Sequence, residues 1–155
     1  MLMLLAPMTM MAQKFGKVNT QTIMQALPDV AKANGELEAL QKQKDNELKA
    51  MQDELNRKLD EYQKGQSTMN ATAKQQKETE LQGLNQKIQQ AYQDGQQELQ
   101  KKSNELMQPI VAKVRAAIDA VGKAGNYTYI FEEGAAIYTG SNVVDVTKEV
   151  QSKIK

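Results

Sequence analysis

Two long polar stretches of the chain each contain one stripe of apolar residues, broken only at Lys44, Gly95 and Ser103, and both stripes have the same spacing. The first stripe consists of Leu37, Leu40, Lys44, Leu48, Met51, Leu55, Leu59 and Tyr62. The second consists of Leu81, Leu84, Ile88, Tyr92, Gly95, Leu99, Ser103, Leu106, Ile110, Val114, Ala117 and Val121. Steps of three, four and four residues repeat every eleven residues, or about 3.67 residues per turn, which favours straight or slightly right-handed helix pairing. Because nearly all other positions are polar, the pattern predicts a long helical hairpin with water on most sides.

Two prolines suggest how the two stretches pair. Pro28 and Pro109 lie at equal distances from a midpoint near Thr68, so a chain that turns there places the two stripes side by side. The alternative is that this symmetry is a coincidence. Pro109 lacks a backbone N–H, so we expect it to bend the second helix. The residues predicted to pack between the helices are Leu37, Leu48, Met51, Leu55, Leu81, Leu84, Ile88 and Leu99.

Pairing of the helices is expected to use up both stripes. The apolar residues that remain elsewhere in this region are few and mostly small, namely Ala39, Ala50, Met69, Ala71, Ala73 and Ala91. We therefore expect any surface that the hairpin offers to a partner to be polar, with scattered methyl groups and no deep pocket.

Residues 63–77, at the predicted tip of the hairpin, form a basic segment with the sequence QKGQSTMNATAKQQK. The segment contains no acidic residue and one large apolar side chain, so it buries little and is expected to fray. One interpretation is a solvated turn. The other is a tip that contacts a partner or an anionic lipid surface through Lys64, Met69, Lys74 and Lys77.

Short helices are predicted near both ends of the chain. Asn19 or Thr20 can cap a helix over residues 22–27, since both side chains accept hydrogen bonds from free backbone N–H groups. Asp145 can cap a final helix in the same way. The apolar side of that helix consists of Val146, Val150 and Ile154.

Strand patterns flank the hairpin, and Gly122 and Gly125 are expected to end the long helix before the later strands. Residues 15–19 are strand-like, residues 126–131 alternate, and residues 135–139 form a predicted third strand. Three strands with so few large residues have a thin core, so we expect other copies of the chain to cover their aromatic side chains. The residues expected to form this trimerising body are Val18, Tyr127, Tyr129, Phe131, Ile137 and Tyr138, with the first two tyrosines and Phe131 on one face.

The composition argues against catalysis. The chain has 155 residues, a net charge of +1, no Cys and no His, so disulfides, thiol chemistry and the commonest general base are excluded. It has no phosphate-binding loop and no metal-ligand spacing, so we expect no enzyme, no metal and no cofactor. Glu132 and Glu133 are adjacent acids, but they fit a turn better than acid–base chemistry. The balanced charge, and the lack of basic residues among the strand aromatics, argue against nucleic-acid binding.

The first twelve residues, MLMLLAPMTMMA, are uncharged and mostly apolar. The run is too short to span a bilayer, which requires about 20 residues. It fits the apolar core and cleavage end of a secretory signal peptide, with processing after Ala12. Two features fit less well, because no basic residue precedes the run and Met10 is large for its position. The true start can lie upstream of Met1, and the alternative is a disordered or membrane-contacting arm.

The order of these elements resembles the Skp/OmpH family of periplasmic chaperones. The resemblance rests on KFGKVNTQTIMQALP near the start and YTYIFEEGAAIYTGSNVVDVTKEVQSKIK at the end. In the second stretch a hydrophobic strand, a turn, AAIY, a polar link and VVDVTKEV follow the family's closing pattern. The resemblance covers nearly the whole mature chain, although the low-complexity middle adds little specificity.

The resemblance implies both a fold and a function. In that family three chains join through their strands into a barrel-like body, and three helical hairpins enclose a cavity for unfolded outer-membrane proteins. The implied class is α+β, mostly α, with a signal remnant over residues 1–12, a body over 13–27 and 122–155, and a hairpin over 28–121. The implied function is an ATP-independent holdase that acts as a homotrimer in the periplasm and keeps these clients from aggregating.

One property separates this chain from the best-known members of the family, which are strongly basic. Its net charge is +1, and residues 36–61 contain more acidic than basic residues. Weak contact with an anionic membrane surface or acidic clients is therefore expected at the tip alone. The main alternative function is a structural or adaptor coiled coil of the cell envelope without clients. A prefoldin-like subunit fits less well, because its helices lie at the chain ends and its strands in the middle.

Overall fold

The computed structural model of the protein describes residues 13–154. The predicted signal peptide over residues 1–12 and its cleavage site lie outside them. In chain order the elements are β1 (Phe15–Val18), α1 (Thr20–Ala26), α2 (Pro28–Gly65), α3 (Ala71–Ala124), β2 (Tyr129–Glu132), β3 (Val144–Asp145) and α4 (Thr147–Lys153). Two long helices with a few short strands confirm the predicted α+β, mostly α, class.

The chain divides into two compact units, which we call the hairpin unit and the body unit. The hairpin unit comprises residues 31–108, and the body unit comprises the described residues on either side of it. The sequence predicts boundaries at Pro28 and Val121, which assigns more of α3 to the hairpin. Residues 109–121 group with the body instead, because their apolar side is part of the body core.

The body unit is built on a three-stranded parallel sheet with β1 in the centre and β2 and β3 at its edges. Phe15 pairs with Tyr129 on one side, and Lys17 pairs with Asp145 on the other. Side chains alternate along a strand. Val18 therefore points into the core, where it is buried, while Phe15 and Lys17 point to the opposite face.

One face of this sheet is covered by α1, α4 and the last part of α3, which enclose a small apolar core. The buried members of the core are Val18, Ile23, Val114, Ala117, Val121, Val146 and Val150. All of them are aliphatic and none is larger than isoleucine. The body is therefore thin, as the sequence predicts. The opposite face of the sheet is only partly covered, because Ala136, Tyr138 and Val143 of the segment between β2 and β3 line a hollow there together with Phe15 and Phe131.

Both predicted short helices are present. Asn19 caps α1, because its side-chain oxygen accepts a hydrogen bond from the backbone N–H of Thr22 at 2.7 Å. The N-cap of α4 is Val146, which makes no side-chain hydrogen bond, so the prediction of Asp145 at this position is one residue too early. The Asp145 carboxylate still accepts a hydrogen bond from the N–H of Thr147, the first helical residue, at 2.9 Å. The apolar side of α4 is buried in the body core, as its sequence pattern indicates.

The helix α3 ends in a left-handed turn at Asn126, which the glycine pattern does not single out. Asn126 has a φ of 51°, and the N–H of Tyr127 donates to the carbonyl of Gly122 at 3.0 Å. This is the Schellman arrangement, in which a residue with positive φ directs the chain out of the helix. Gly125 is required beside it, since a Cβ there would lie 2.3 Å from the ring of Tyr127. Residues 126–128, which the sequence predicts to begin the strand, belong to this turn and its exit, so β2 begins only at Tyr129.

The prediction of a strand over residues 135–139 is wrong. Gly134 has a φ of 84°, and the N–H of Ala135 donates to the carbonyl of Glu132, so the chain turns away directly after β2. The third strand of the sheet is β3 instead. Ile137 favours a strand, but β-propensity acts mainly through packing on neighbouring strands, and none of the described strands pairs with this segment.

In the hairpin unit α2 and α3 run antiparallel and are joined by residues 66–70. Ion pairs link the two helices along their length. Lys44 Nζ lies 2.8 Å from Glu98 Oε2, and Lys102 Nζ lies 3.4 Å from Glu36 Oε2. The residues that face each other in these pairs differ by only a few positions from the pairing predicted by the two prolines.

Burial of the two stripes between the helices is uneven. Leu55 and Leu81 are buried, at 3% and 8% exposure. The other residues predicted to pack there are half-buried, namely Leu37, Leu48, Met51, Leu84, Ile88 and Leu99. Tyr92 is also a stripe residue, yet it is 56% exposed. Pairing of the helices therefore leaves part of each stripe exposed. Two helices alone cannot cover both sides of the seam, the line along which their stripes meet.

Candidate functional site

The face of the body sheet that points away from the core presents an aromatic cluster of Phe15, Tyr129 and Phe131. The ring centroids of Tyr129 and Phe131 lie 5.6 Å apart, and Phe15 stacks on them at 6.2 and 6.5 Å. Tyr129 is 59% exposed and Phe131 is 45% exposed. Stacked aromatic rings with this much exposed area are typical of a surface that another chain covers. Phe15 is not among the residues predicted for the body, although alternation along β1 from the core residue Val18 places it on this face.

Tyr127 is not part of this cluster, contrary to the predicted alternation. It precedes β2, and its side chain packs against the body core. The ammonium group of Lys14 lies 4.1 Å from the centre of its ring, in a cation–π contact. Val18 is also a core residue. Both residues therefore stabilise the fold of the single chain, whereas Tyr129 and Phe131 remain exposed on the outer face.

An ionic cluster borders the aromatic cluster. Lys17 Nζ lies 2.6 Å from Glu133 Oε1 and 3.9 Å from Asp145 Oδ2. The hydrogen bond to Glu133 raises the pKa of Lys17, and the same bond holds the pKa of Glu133 below its usual range. All three groups are thus charged at neutral pH, and this edge of the outer face has an excess of negative charge.

Glu132 and Glu133 hold the start of α1, which the sequence does not reveal. A carboxylate oxygen of Glu132 accepts a hydrogen bond from the Thr20 N–H at 3.0 Å, and Glu133 accepts one from the Asn19 amide at 2.9 Å. Unpaired N–H groups at a helix N-terminus favour nearby carboxylates. The two adjacent acids therefore join the end of β2 to α1, in addition to their place at a turn.

Ile137 and Tyr138 lie in the segment between β2 and β3 and are both highly exposed, although Tyr138 also lines a hollow beside Phe15 and Phe131. Their exposed fractions are 109% and 85%. Large apolar side chains are unfavourable in water, so these two residues mark a candidate contact surface of the body unit. The sequence predicts that both residues belong to the body, and they do lie in the body unit, but the strand predicted over residues 135–139 is absent.

The hairpin unit has two shallow hollows in which stripe residues remain accessible between the helices. The first hollow is lined mainly by Leu48, Lys49, Gln52, Ile88, Gln89 and Tyr92. The second hollow is lined mainly by Leu37, Glu38, Gln41, Leu99, Gln100 and Ser103. In each hollow one aliphatic residue from each helix forms the floor, and glutamine amides form much of the rim. The expected polar surface with scattered methyl groups thus includes two larger apolar spots.

Most of the predicted tip is helical. Within residues 63–77, α2 continues to Gly65 and α3 begins at Ala71. Met69 is half-buried, and its terminal methyl group would lie 2.9 Å from a Cβ on Gly65, so it packs over the turn. Fraying of this segment, which concerns motion, stays a prediction.

The three lysines of the tip differ in their surroundings. Lys64 forms an ion pair with Asp60, and Lys77 Nζ lies 3.3 Å from Glu80 Oε2. Among the described residues Lys74 has no ion-pair partner within 4.0 Å. Neighbouring acids therefore offset part of the positive charge that the sequence of the tip indicates.

Several acidic residues of the hairpin are paired with bases of the same helix, as in Lys49 Nζ to Asp53 Oδ2 at 2.9 Å, and others with bases of the facing helix. Across residues 13–154 no group of three or more His, Cys, Asp or Glu side chains converges on a possible metal site. The helices of the same part of the chain include none with a long enough apolar stretch to cross a bilayer. What the described residues do offer is a set of exposed apolar surfaces on both units.

The sequence and the fold of this chain are similar to those of known proteins. A family model described as "Outer membrane protein (OmpH-like)" matches residues 14–154. The chain belongs to the OmpH-like family. Two relatives have the name "Chaperone protein Skp". That of Pectobacterium atrosepticum is 26% identical over 144 residues, which cover 93% of this chain and 87% of the relative. That of Yersinia enterocolitica is 25% identical over 154 residues, which cover 99% and 93%.

A solved structure shares the architecture of this family member. It is described as an OmpH-like outer membrane chaperone from Caulobacter crescentus. The TM-score is 0.80 over 92% of this chain and 83% of that chain, at 15% sequence identity. At this identity the likeness establishes a common fold.

Proposed function

We propose that this protein is an ATP-independent holdase chaperone, which binds unfolded outer-membrane proteins in the periplasm and prevents their aggregation. The observation that carries the proposal is the family match over residues 14–154, which includes the body and the hairpin alike. Relatives named as Skp chaperones align with nearly the whole chain, so the proposal extends to the complete architecture.

The hairpin unit supports this function through the character of its surface. Half-buried stripe residues such as Leu37, Leu48 and Ile88 lie among glutamines and charged residues. Such a surface makes many weak contacts and few strong ones, and several weak contacts made together hold a flexible chain well. Binding of this kind needs no nucleotide. Release follows when the client folds into lipid and no longer offers the same contacts.

The test is an aggregation assay. An outer-membrane β-barrel protein is diluted from urea into buffer, and light scattering is followed with and without this protein and without nucleotide. We expect scattering to be suppressed at a stoichiometric ratio to the assembled chaperone. A structural or adaptor coiled coil would leave the scattering unchanged at every ratio, and that result would refute the proposal.

We further propose that the chain assembles as a homotrimer through the outer face of its body sheet. The aromatic cluster of Phe15, Tyr129 and Phe131 supports this, since a second copy would remove large exposed rings from water. Ile137 and Tyr138 add exposed apolar area in the same unit. Both edge strands of the sheet are short, so strand pairing alone offers few hydrogen bonds and side-chain burial has to contribute most of the affinity.

The assembly test is a measurement of mass by light scattering at micromolar concentration. The parent should give three times the chain mass. Tyr129→Asp should dissociate the assembly, because the new charge would have to be desolvated at the interface. Tyr92→Asp is a matched control, because Tyr92 is exposed to a similar degree at 56% but lies in the hairpin unit. A stable folded monomer of the parent, or equal dissociation by both variants, would contradict this interface.

Location in the periplasm requires a signal peptide, which we propose over residues 1–12. The apolar, uncharged sequence of this segment supports it. Expression of the complete precursor in a Gram-negative host, followed by N-terminal sequencing of the periplasmic protein, tests the processing site. Cleavage after Ala12 is the expected result. Recovery of uncleaved protein in the cytoplasm would contradict both the signal peptide and the location.

A further inference from the structure

Four polar side-chain contacts join α2 to α3 within residues 31–108, and each of them uses a glutamate carboxylate. The contacts are Lys44 with Glu98, Lys102 with Glu36, Lys58 with Glu80, and Tyr62 with Glu78. The first two are ion pairs of 2.8 and 3.4 Å, and the hydroxyl of Tyr62 donates to its partner at 2.5 Å. Lys44 also lies 3.5 Å from Glu47 of its own helix. The polar contacts between the two helices therefore all depend on carboxylates.

The Glu80 carboxylate shows how these contacts respond to pH. Lys58 of α2 reaches it, and Lys77 of its own helix lies 3.3 Å away. The hydrogen bond from Lys58 is the main reason that the pKa of Glu80 lies below its usual range. Lys58 also meets Glu54 at 3.6 Å, and the hydrogen bond from Arg57 holds the pKa of Glu54 below its usual range as well. A carboxyl whose pKa is lower in the folded state stabilises the fold above its ordinary pKa, and this contribution is lost as pH falls through the folded value.

Acid also changes the net charge of the two helix segments that face each other. Residues 31–65 have seven basic and eight acidic side chains, and residues 71–108 have five of each. At neutral pH the two segments therefore have net charges of −1 and 0. Once every carboxyl is protonated, the net charges become +7 and +5. Like charges then face each other along the whole seam, and self-repulsion of this kind destabilises a compact state.

Apolar packing opposes this repulsion less in the hairpin unit than in the body unit. Among residues 31–108 three apolar side chains are buried, namely Ala33, Leu55 and Leu81. The body core has seven buried aliphatic side chains in one cluster. A unit with few buried apolar contacts opens at a lower cost in free energy. The hairpin is therefore expected to open in acid before the body unfolds.

We propose that the hairpin unit is an acid-sensitive element, in which α2 and α3 separate below about pH 4 while the body unit stays folded. Separation exposes stripe residues that are half-buried at neutral pH, such as Leu37, Leu48 and Ile88. The consequence rests on the proposed chaperone function. The apolar surface that can hold an unfolded chain grows in acid, and it shrinks again when neutral pH restores the contacts between the helices.

The test measures the distance between the helices as a function of pH. The chain has no Cys, so pairs of introduced cysteines place spin labels at chosen exposed positions. Gln52→Cys with Gln86→Cys labels the two helices of the hairpin, and Gln21→Cys with Ser152→Cys labels α1 and α4 as a control in the body. An excess of unlabelled protein leaves one labelled chain in each assembly. From pH 7 to pH 3 the open fraction of the hairpin should rise at least about ten-fold, while the distance in the body stays constant.

Charge variants test the cause of the opening. One variant imitates protonation of the four contacts through Glu36→Gln, Glu78→Gln, Glu80→Gln and Glu98→Gln. It should raise the open fraction several-fold already at pH 7. Lys42→Gln with Lys87→Gln removes two exposed charges from the hairpin and should move the opening to lower pH. Lys148→Gln with Lys153→Gln removes two exposed charges from the body and should not. Salt at about 1 M should also favour the closed hairpin, because it screens the repulsion.

Two further measurements separate opening from chaperone function. Fluorescence of the uncharged dye Nile red reports exposed apolar surface, and it should rise together with the label distance. The probe for holding is the urea-denatured outer-membrane β-barrel protein of the aggregation assay, and less chaperone should be required at pH 3 than at pH 7.

Hairpin labels that keep their distance down to pH 3, or that separate only together with the body labels, overturn the acid-sensitive element. Opening without a gain in holding, in a parent that holds the probe at pH 7, overturns its consequence for clients. Opening in a parent that holds no probe at either pH overturns the chaperone function and supports the acid-sensitive element alone.

Discussion

The side chain of Lys44 lies across the backbone of Gly95, at the level where both stripes lack an apolar residue. A Cβ on Gly95 would lie 3.7 Å from Cγ and Cδ of Lys44, and Gly95 is buried. The Lys44 side chain is 20% exposed, and its ammonium group reaches Glu98 at 2.8 Å. The two exceptions to the pattern therefore compensate each other. The glycine makes room for the methylene stem of the lysine, and the charged end leaves the seam to meet an acid.

Replacing Gly95 with Ala should stabilise the hairpin unit by about 0.5–1 kcal/mol, because Ala favours a helix interior over Gly by this amount. The added methyl group meets Lys44 at an ordinary van der Waals distance of 3.7 Å. Gly83→Ala is the matched control, since a Cβ there meets nothing within 4 Å. Urea unfolding followed by circular dichroism measures both. A loss of stability in Gly95→Ala with a gain in Gly83→Ala would show that the lysine stem cannot tolerate the methyl group.

Truncation of Leu55 should loosen the hairpin strongly. Leu55→Ala removes a side chain that is 3% exposed, and such changes cost about 2–5 kcal/mol. Leu84→Ala should cost less, because Leu84 is only half-buried. Hydrogen exchange should rise in residues 31–108 of both variants and leave the body strands protected. Equal effects of the two substitutions, or a uniform rise along the chain, would contradict this distribution of packing.

The body unit should become less stable in acid through Asp145. Hydrogen bonds from the hydroxyl and the backbone N–H of Thr147 hold the pKa of Asp145 below its usual range. A carboxyl whose pKa is lower in the folded state stabilises the fold fully above the ordinary pKa of about 4, and this contribution is lost as pH falls through the lower folded value. Asp145→Asn should therefore cost about 1 kcal/mol at neutral pH, as for a lost helix cap, and little in acid.

Urea unfolding of the parent and of Asp145→Asn at a series of pH values measures this difference. The two stability curves should converge as pH falls below about 4. Thr147→Val, which removes the hydroxyl that contributes most to the shift, should show a weaker version of the same convergence. Curves that stay parallel from neutral to acidic pH would mean that the Asp145 contact does not depend on its charge.

Removal of charge from the hairpin tip should have a small, salt-dependent effect on client capture. Replacing Lys64, Lys74 and Lys77 by Gln should slow capture at low salt and change little at high salt, since screened surface charges attract weakly. Stopped-flow fluorescence with the denatured β-barrel probe measures the rate. Because Lys64 and Lys77 are paired with acids, Lys74→Gln alone should account for much of the effect. Equal rates for the triple variant and the parent at low ionic strength would make the tip a solvated turn.

The hairpin could be predicted from the sequence because its packing repeats along one dimension. Each stripe residue meets a partner set by the distance from the turn, so the eleven-residue pattern and the two prolines were sufficient to place Leu37 near Leu99 and Leu48 near Ile88. The exposure of Tyr92 could not be predicted in this way. The pattern shows that a residue lies on the seam, but it does not show on which side of the seam its ring emerges.

The body could be predicted only in outline, because its contacts join residues far apart in the chain. The cap at Asn19 and the buried side of α4 follow from local rules. The place of β3 does not, since a two-residue strand has no pattern of its own and depends on its pairing with β1. The side-chain contacts of Glu132 and Glu133 with the start of α1 bridge more than a hundred residues, as do the rings that stack on Phe15.

Both strands and helices of the body come from the two ends of the described chain, and residues 31–108 form one continuous insertion between them. Within that insertion the pattern of packing residues repeats every eleven residues on each helix. Deleting one unit from α2 and the facing unit from α3 keeps every remaining pair in register and shortens the helix pair by about 16 Å. Adding one unit to each helix lengthens it by the same step. The length of the hairpin can therefore change in fixed steps of eleven residues per helix, in evolution or by design, without any change in the body.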